Sequence, residues 1–241
     1  MRLSVLTLNL WNVNEPLAAR FGALAAGLNV LRPDIVCLQE VAADRRTARR
    51  QSDIVAEFCG LAHAADRDAL SILSRYPIAR TRGVALPQAP RDEPRQVLLA
   101  EVPIEGRPLL IANTHLAWRP EMIAERKAQV AALLAALAPY DANARLLCGD
   151  FNDDPDSQAV RAVTDNGGFS DVYAACHPGD SGFTWSMQNP FVDAATSRSQ
   201  RIDYIFAAGG PTPTDCSIVF DGNGLDFASD HFGVFCNLEF R

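Results

Sequence analysis

Several apolar, strand-length segments of this chain end on polar or charged residues, and this recurring pattern constrains its fold more than any other feature. A sheet needs none of these side chains for stability, and burying a lone carboxylate is unfavourable unless it is paired or bound to a metal. α/β proteins place their functional sites at strand ends along one rim. The pattern therefore predicts one site built from many strand ends: Asn9, Gln39, Glu40, Asn113, His115, Asp150, Asn152, Asp203, Asp230 and His231.

The stretch GDFN at residues 149–152 illustrates the pattern, because it directly follows the apolar run RLLC at 145–148. Asp150 and Asn152 are two positions apart, so on extended backbone their oxygen-bearing side chains point the same way. This arrangement suits a cation or a phosphate. It also suits a plain turn, since Gly, Asp and Asn are the ordinary turn residues.

Strand-like and helix-like segments alternate at first, and strands dominate the middle and the end of the chain. We predict helices over 16–31, 121–140 and 157–166, with 44–60 compatible with a helix. Predicted strands lie at 3–11, 34–41, 69–78, 96–104, 108–118, 144–152, 201–209, 215–220 and 231–240. This order fits an α/β fold with two packed sheets and helices outside. No repeat or linker divides the chain, so we expect a single domain over residues 1–241.

The composition narrows the class of protein. The 241 residues are 48% hydrophobic and 21% charged, values typical of a globular protein with a sizeable core. A formal net charge of −7 argues against a broad basic surface that clamps nucleic acid, and the basic run RRTARR at 45–50 is expected to be a solvated helix face. The start of the chain lacks a signal sequence and no apolar stretch has membrane-spanning length, so we expect a cytoplasmic monomer without a membrane partner.

Six cysteines are dispersed along the chain without a C-x-x-C pair. Cys37, Cys148 and Cys236 lie inside apolar, strand-like runs, so we expect buried free thiols. A zinc cluster or a disulfide framework is not expected.

The chemistry of the polar set favours a hard divalent cation. Four carboxylates and two asparagines supply oxygen ligands, which suit Mg²⁺ or Mn²⁺ better than Zn²⁺. Two of the four histidines, His115 and His231, belong to the same set. One histidine can stabilise charge on phosphate oxygens, and the other, oriented by an aspartate, can act in proton transfer. The set therefore predicts a phosphoester hydrolase.

Each residue taken alone also has an ordinary structural explanation. Asn9 could close a turn, and His115 could be a hydrogen-bonded core histidine. Asp203 could pair with the nearby Arg201, and Asp230 could cap a turn. Only their shared placement at strand ends favours the site.

Six segments in order, TLNLW, LQE, NTHL, GDFN, RIDYIF and SDH, resemble the endonuclease/exonuclease/phosphatase superfamily. The resemblance spans residues 5–240 and depends on the order and spacing of the motifs, since none is specific alone. It implies a four-layer α/β sandwich of two mixed sheets flanked by helices, with the active site at one end.

The resemblance also implies roles for the metal-binding side of that site. Glu40 matches the principal metal ligand, and Asn9 lies beside it. Asp230 matches a residue that supports the metal or the neighbouring histidine. Many DNA-repair members carry an acidic residue where this chain has Trp11, so a two-metal scheme lacks one carboxylate here. Trp11 is then either a wall of the substrate pocket or a core aromatic.

On the phosphate side, the resemblance implies that Asp150 and Asn152 orient the attacking water and the scissile phosphate. His115 would bind phosphate oxygens and stabilise the pentacovalent transition state. His231 would be a general base or a phosphate stabiliser, with Asp203 as the carboxylate that orients it. The expected reaction is in-line attack on phosphorus by a metal- or base-activated water, and whether Asp150 or His231 activates that water stays open.

Three segments are similar to the tyrosyl-DNA phosphodiesterase branch: FTWSMQNPFV with Trp185, PRQVLLAEV with Arg95, and SDHFGVFCNLEF. Trp118, just after NTHL, is expected on the rim, where it could stack on a base or pack as a helix cap. We therefore predict a Mg²⁺-dependent phosphodiesterase, with Mn²⁺ possible, and favour nucleic-acid ends as substrates. The alternatives are a phosphatase of inositol or nucleotide phosphates and, less favoured, a catalytically silent binding module.

Overall fold

The computed structural model describes residues 1–43, 47, 49–88, 91–140, 144–193, 195 and 198–240. The helices are α1 (Leu17–Leu31), α2 (Gln51–Cys59), α3 (Ile123–Leu137), α4 (Gln158–Asp165) and α5 (Val172–Cys176). The strands are β1 (Arg2–Asn9), β2 (Ile35–Gln39), β3 (His63–Arg67), β4 (Leu70–Ser74), β5 (Arg80–Ala85), β6 (Gln96–Ile104), β7 (Arg107–His115), β8 (Ala144–Asp150), β9 (Ser170–Asp171), β10 (Asp203–Ala208), β11 (Pro211–Val219) and β12 (Gly233–Phe240).

The strands form two mixed sheets that pack face to face. The first sheet has the order β11-β12-β1-β2-β4-β3, and the second has the order β5-β6-β7-β8-β10-β9. Apolar side chains from both inner faces, such as Val5 and Ile72 from the first sheet and Ile111 from the second, form one buried cluster. Because apolar residues of α1 and α2 cover one outer face and those of α3 and α4 cover the other, the structure has four layers. The predicted fold class is confirmed.

Both sheets direct strand ends to the same rim. β1 and β2 run parallel in the first sheet, and β7 and β8 run parallel in the second. Asn9 at the end of β1 contacts Asp150 at the end of β8, so the two parallel pairs end at one end of the sandwich. β10 runs antiparallel to β8 and begins at this rim, since Asp203 pairs with Asp150.

Several short elements had no clear sequence signal. β3, β5 and β9 are edge or near-edge strands of low burial, and β3 buries only one of its five side chains, so no alternating pattern marks it. The predicted strand at 215–220 begins earlier, at Pro211, because edge strands tolerate proline. Arg49 and Arg50 of the basic run pair with Glu57 and Asp66, while residues 45, 46 and 48 lie outside the described residues.

The expectation for the cysteines was wrong for one pair. Cys216 and Cys236 are directly opposed on β11 and β12 with Cα atoms 4.1 Å apart, and they form a disulfide. Their sequence separation of 20 residues gave no indication of this cross-strand pairing. Cys37 and Cys148 are buried free thiols, as expected.

A buried polar network joins the two sheets beneath the rim. The Gln39 side-chain amide donates to Asn113 Oδ1 at 2.7 Å and to Thr7 Oγ1 at 3.1 Å. Asn113 Nδ2 in turn donates to the carbonyls of Leu38 and Ser71, at 2.8 and 2.9 Å. Asn113 belongs to the second sheet and its three partners, Gln39, Leu38 and Ser71, to the first, so these hydrogen bonds fix how the sheets lie against each other.

We expect Asn113→Leu to lower the free energy of unfolding by about 2–4 kcal/mol, because it leaves buried carbonyls without a donor and Gln39 without one acceptor. Urea unfolding measures this loss. Asn29→Leu, on the exposed side of α1, is the matched control and should change stability by less than about 0.5 kcal/mol. Equal stabilities for Asn113→Leu and the wild type would contradict the role given to the network.

Candidate active site

A cavity of about 670 Å³ opens at the rim where the strand ends converge. All three tryptophans of the chain, Trp11, Trp118 and Trp185, line it. The other lining residues are Asn12, Asn14, Glu40, Asp68, Ala69, Leu70, Glu93, Pro94, Arg95, Gln96, His115, Asp150, Asn152, Asp230 and His231. The cavity therefore gathers most of the residues that the sequence predicted for the site.

Asp150 lies at the centre of the polar residues and is buried. Its Oδ2 accepts a hydrogen bond from Asn9 Nδ2 at 3.1 Å and lies 3.5 Å from His115 Nε2. Its Oδ1 accepts the backbone N–H of Asn152 at 2.9 Å. Asn152 adopts a left-handed φ of 50° and donates its side-chain amide to the carbonyl of Leu116. GDFN thus supplies both a turn and a site carboxylate.

His231 and Asp203 form a hydrogen-bonded pair. The distance from His231 Nδ1 to Asp203 Oδ2 is 2.9 Å, and His231 Nε2 lies 3.8 Å from Asp150 Oδ2. Trp185 packs edge-on against the imidazole, with ring centroids 5.0 Å apart. Thr184 Oγ1 accepts the backbone N–H of Asp203 and so holds the start of β10. A carboxylate placed in this way fixes the ring orientation of the histidine.

The alternative pairing of Asp203 with Arg201 does not occur. Arg201 donates instead to Asp171 Oδ2 at 2.6 Å. Asp203, the first residue of β10, is buried and bonds His231 instead.

Asn9, Glu40 and Asp230 complete the polar set around Asp150. Asn9 Nδ2 also donates to Glu40 Oε1 at 3.2 Å, and Glu40 adopts a left-handed φ of 52° where β2 ends. Asp230 accepts a hydrogen bond from Ser229 Oγ at 3.2 Å. Asn189 Nδ2 holds this turn by donating to the carbonyls of Ser229 and Asp230, both at 2.9 Å.

Burial and mutual repulsion perturb the titration of these groups. Burial lowers the pKa of His115 to about 4, and the charge of Asp150 opposes that shift. Burial raises the pKa of Asp230 to about 6, with a further contribution from Glu40. Burial also raises the pKa of Asp150, and the Asp203 carboxylate adds to the rise.

His231 shifts in the opposite direction from His115. Burial lowers the pKa of His231, but the carboxylates of Asp203 and Asp150 and the hydrogen bond to Asp203 outweigh it, so the pKa rises well above its ordinary value. The two histidines of the cavity therefore differ in charge near neutral pH, with His115 neutral.

The donor set fits a hard divalent cation. The charge of Glu40 contributes to the raised pKa of Asp230, and a cation bound to both carboxylates would offset that repulsion. Asp150, Asp203 and His231 also present ligand atoms within 4.8 Å of one another. Because Asp203 and His231 already bond each other, the carboxylates of Glu40 and Asp230 suit the cation better.

The three residues predicted to bind substrate all line the cavity. Arg95 is buried and its Nη2 and Nε bond both carboxylate oxygens of Asp92, at 2.9 and 3.2 Å, so the alternative of a solvated arginine is wrong. Trp118 is 52% exposed, and the guanidinium of Arg119 lies 4.7 Å from its ring centroid. One face of this indole therefore remains available.

Sequence reasoning missed three residues that hold the site in place: Asp92, Thr184 and Asn189. The spacing of three between Asp92 and Arg95 is a usable signal for an ion pair. Asn189 has no local signal, because the Ser229 and Asp230 carbonyls that it binds are about forty residues away.

The profile of the Endonuclease/Exonuclease/phosphatase family matches residues 6–231, and the chain belongs to this family. The activities in the family's name all cleave phosphoester bonds, so membership supports a hydrolase of the phosphoesterase or nuclease type. A comparison with curated proteins found no match.

Solved structures share the fold at low sequence identity. An endonuclease/exonuclease/phosphatase family protein from Leptotrichia buccalis has a TM-score of 0.77 and 18% identity, covering 99% of this chain and 100% of that one. TDP2 from Caenorhabditis elegans has a TM-score of 0.79 and 19% identity over 100% of this chain and 76% of that one. TDP2 from D. rerio, complexed with a single-strand DNA product, has a TM-score of 0.76 and 20% identity over 99% of each chain. The predicted resemblance is confirmed.

Among the described residues, no helix has the length and apolar character needed to cross a membrane.

The buried, neutral His115 predicts a specific dependence of stability on pH. Its pKa is about 4 in the folded state and about 6.5 when unfolded, so the unfolded chain binds the proton first as pH falls. Stability contributed by neutral His115 is therefore complete above pH 6.5 and is lost as pH falls towards 4, by about 3 kcal/mol.

Denaturant unfolding in EDTA at several pH values tests this prediction by comparing the wild type with His115→Asn. The difference in unfolding free energy between the two proteins should shift against the wild type between pH 6.5 and 4.5. A pH-independent difference would show that His115 titrates normally.

Proposed function

We propose that the chain is a divalent-metal-dependent phosphodiesterase that processes nucleic-acid ends, with Mg²⁺ as the expected cation and Mn²⁺ as the alternative. The observation that carries this proposal is the arrangement around Asp150. His115 and His231 lie 3.5 and 3.8 Å from its Oδ2, and Asn9 Nδ2 links the same oxygen to the Glu40 carboxylate. We propose that it acts as a single domain over residues 1–241, as a monomer and in the cytoplasm.

Glu40 and Asp230 would hold the cation through their carboxylate oxygens. Asn9, the third predicted ligand, lies beside them and directs its Nδ2, which cannot bind a cation, at Glu40. When bound, such a cation neutralises charge on the phosphate and polarises a phosphate oxygen. Trp11 occupies the position of the acidic residue of many DNA-repair relatives, so this side offers donors for one ion.

The remaining residues position the phosphate and handle the proton. Neutral His115 can donate Nε2–H to a phosphate oxygen in the transition state. Asn152 and Asp150 orient the attacking water on the opposite side of phosphorus from the leaving group. Asp150 Oδ2 or His231 Nε2, which lie 3.8 Å apart, takes the proton of that water. The raised pKa of His231 leaves only a minor neutral form able to accept it, which favours Asp150 at neutral pH. In-line attack then inverts the configuration at phosphorus.

The aromatic lining supports a substrate with flat groups beside the phosphoester. Trp118 offers an exposed indole face at the rim, and Trp185 lies against His231 next to the reacting groups. Aromatic side chains of this kind stack on bases without reading their sequence. Arg95 Nη1 forms no hydrogen bond within the described part of the chain and can bind a phosphate oxygen. The relative complexed with single-strand DNA product adds support from a shared fold.

One observation favours a second candidate, a phosphatase of small phosphoesters such as inositol or nucleotide phosphates. The described cavity lining holds five carboxylates, and Arg95, paired with Asp92, is its only arginine or lysine. Such a surface repels a long phosphate backbone. A chain end or a small molecule, which brings one phosphoester into the cavity, is compatible with it.

We expect Mg²⁺-dependent release of tyrosine from a 5′-phosphotyrosyl oligonucleotide, with no cleavage of the same oligonucleotide carrying a plain 5′ end. Gel or mass analysis of both reactions, with EDTA as the control, measures this. If neither oligonucleotide is cleaved and inositol or nucleotide phosphates are hydrolysed, the second candidate is favoured. The three tryptophans would then line a pocket for a small phosphoester.

We expect His231→Ala to fold normally and to lose about 10²–10⁴-fold in kcat, the scale of a lost general acid–base group. Asp203→Asn should lose less, because it disorders the imidazole without removing it. His63→Ala, on the edge strand β3, is the matched control and should retain full turnover.

Full activity of His231→Ala would move the proton-accepting role to Asp150. In that case Asp150→Asn should show the larger loss in kcat and should remove the acidic limb of the pH–rate profile.

A further inference from the structure

The guanidinium of Arg20 on α1 is fully buried, yet it forms no ion pair with any carboxylate of the described chain. It donates instead to backbone carbonyls. Nη1 bonds the carbonyls of Leu10 and Ala228 at 2.8 and 3.2 Å, while Nη2 bonds those of Asn12 and Asn14 at 3.3 and 2.7 Å. Burying a charged guanidinium whose hydrogen-bond partners are all neutral carbonyls is unfavourable. The burial of Arg20 therefore needs an explanation.

The first set of carbonyls belongs to the turn that follows β1. Trp11 and Asn12 both adopt left-handed backbone conformations, with φ of 54° and 51°. Residues other than glycine rarely adopt this backbone conformation, and it persists only where surrounding contacts impose it. The hydrogen bonds from Arg20 to the carbonyls of Leu10, Asn12 and Asn14 are such contacts.

This turn sets the orientation of Asn9. The backbone N–H of Trp11 donates to Asn9 Oδ1 at 2.9 Å. With its oxygen held in this way, the amide must direct Nδ2 towards Glu40 and Asp150, to which it donates at 3.2 and 3.1 Å. Arg20 therefore acts on the proposed cation side through the Trp11 peptide and the Asn9 amide.

Arg20 also binds the segment that carries Asp230. Ala228, whose carbonyl Nη1 binds, lies two residues before Asp230. The same guanidinium lies 4.9 Å from the centroid of the Trp11 ring, and Phe191 stacks on that ring at 5.6 Å. Arg20 on α1 thus contacts both the turn that holds Asn9 and the segment that carries Asp230.

We infer that Arg20 is a positioning residue that sets the Glu40 and Asp230 carboxylates for a divalent cation. It acts on Glu40 through Asn9, whose amide donates to that carboxylate, and on Asp230 through the Ala228 carbonyl. This inference rests on the proposed function, because it assigns Arg20 to the proposed metal side. The planar fork of the guanidinium is essential to the role, since four carbonyls in two segments must be bound at once. A point charge at the same position cannot reproduce it.

The test measures the affinity of the metal-free protein for Mn²⁺ and Mg²⁺ by titration calorimetry, which does not depend on catalysis. Two variants separate geometry from charge. Arg20→Lys keeps the positive charge and loses the fork, and Arg20→Met loses both. We expect the Kd of both variants to rise by about 10–100-fold, the range for residues that orient metal ligands. Glu40→Ala lacks the proposed principal ligand, so its titration gives the calorimetric signal expected without cation binding.

Arg126→Met is the matched control. Arg126 on α3 is also buried and also donates to backbone carbonyls, those of Ala117, Arg119 and Pro120. Its carbonyls belong to the loop of Trp118, and its Nε also pairs with Asp153 Oδ2 at 2.9 Å. We expect Arg126→Met to lower stability while the Kd of the cation stays within about twofold.

Two results would overturn the inference while leaving the proposed function intact. If Arg20→Lys binds the cation like the wild type and Arg20→Met binds it more tightly, Arg20 acts only through its charge. If both variants lose stability with unchanged Kd, Arg20 is a structural residue. Failure of the wild type to bind a divalent cation would instead overturn the proposed function and the inference together.

Discussion

The carboxylate of Asp150, buried where the two sheets meet, is the constraint on which the rest of the site depends. A charge in this position needs hydrogen-bond donors or positive groups around it, because desolvation otherwise favours the neutral acid. Asn9 reaches it from the first sheet and His115 from the second, while His231 lies 3.8 Å away. The Asp150 carboxylate therefore requires that strand ends from both sheets meet, because each sheet supplies part of its polar surroundings. It also brings Asn9 and Glu40 close to the two histidines.

Left-handed backbone conformations occur where the strands leave the core for the cavity. Trp11, Glu40 and Asn152 all have φ near 50° directly after β1, β2 and β8. Conformations of this kind are strained for residues other than glycine, and functional sites concentrate them where the surrounding structure imposes them. Gly149 shows how tightly that structure is built, since a Cβ at its φ of 140° would lie 2.1 Å from the carbonyl oxygen of Thr114. The hydrogen bond between Gln39 and Asn113 lies beneath these turns and holds the strands that carry them in fixed positions across the two sheets.

Much of the fold and of the site could be predicted because the signals are local. Strand period and helix period are properties of short segments, and a polar residue that ends an apolar run is visible without knowing its partners. What could not be predicted depends on partners distant in sequence. Arg201 and Asp203 are near neighbours that suggest an ion pair, yet each binds a residue about thirty positions away. β3 and β9 are stabilised by pairing with a neighbouring strand, and their own residues carry almost no pattern.

The charge balance of the cavity links cation binding to substrate binding. Five carboxylates against one arginine, itself neutralised by Asp92, give a surface that opposes the entry of a phosphate. A divalent cation held by Glu40 would reverse the local sign beside the place proposed for the phosphoester. Each ligand should then favour the other, and by linkage the effect is reciprocal in free energy. The acidity of the chain, which argues against a broad nucleic-acid surface, is thus compatible with a phosphoester that enters the cavity only alongside its cation.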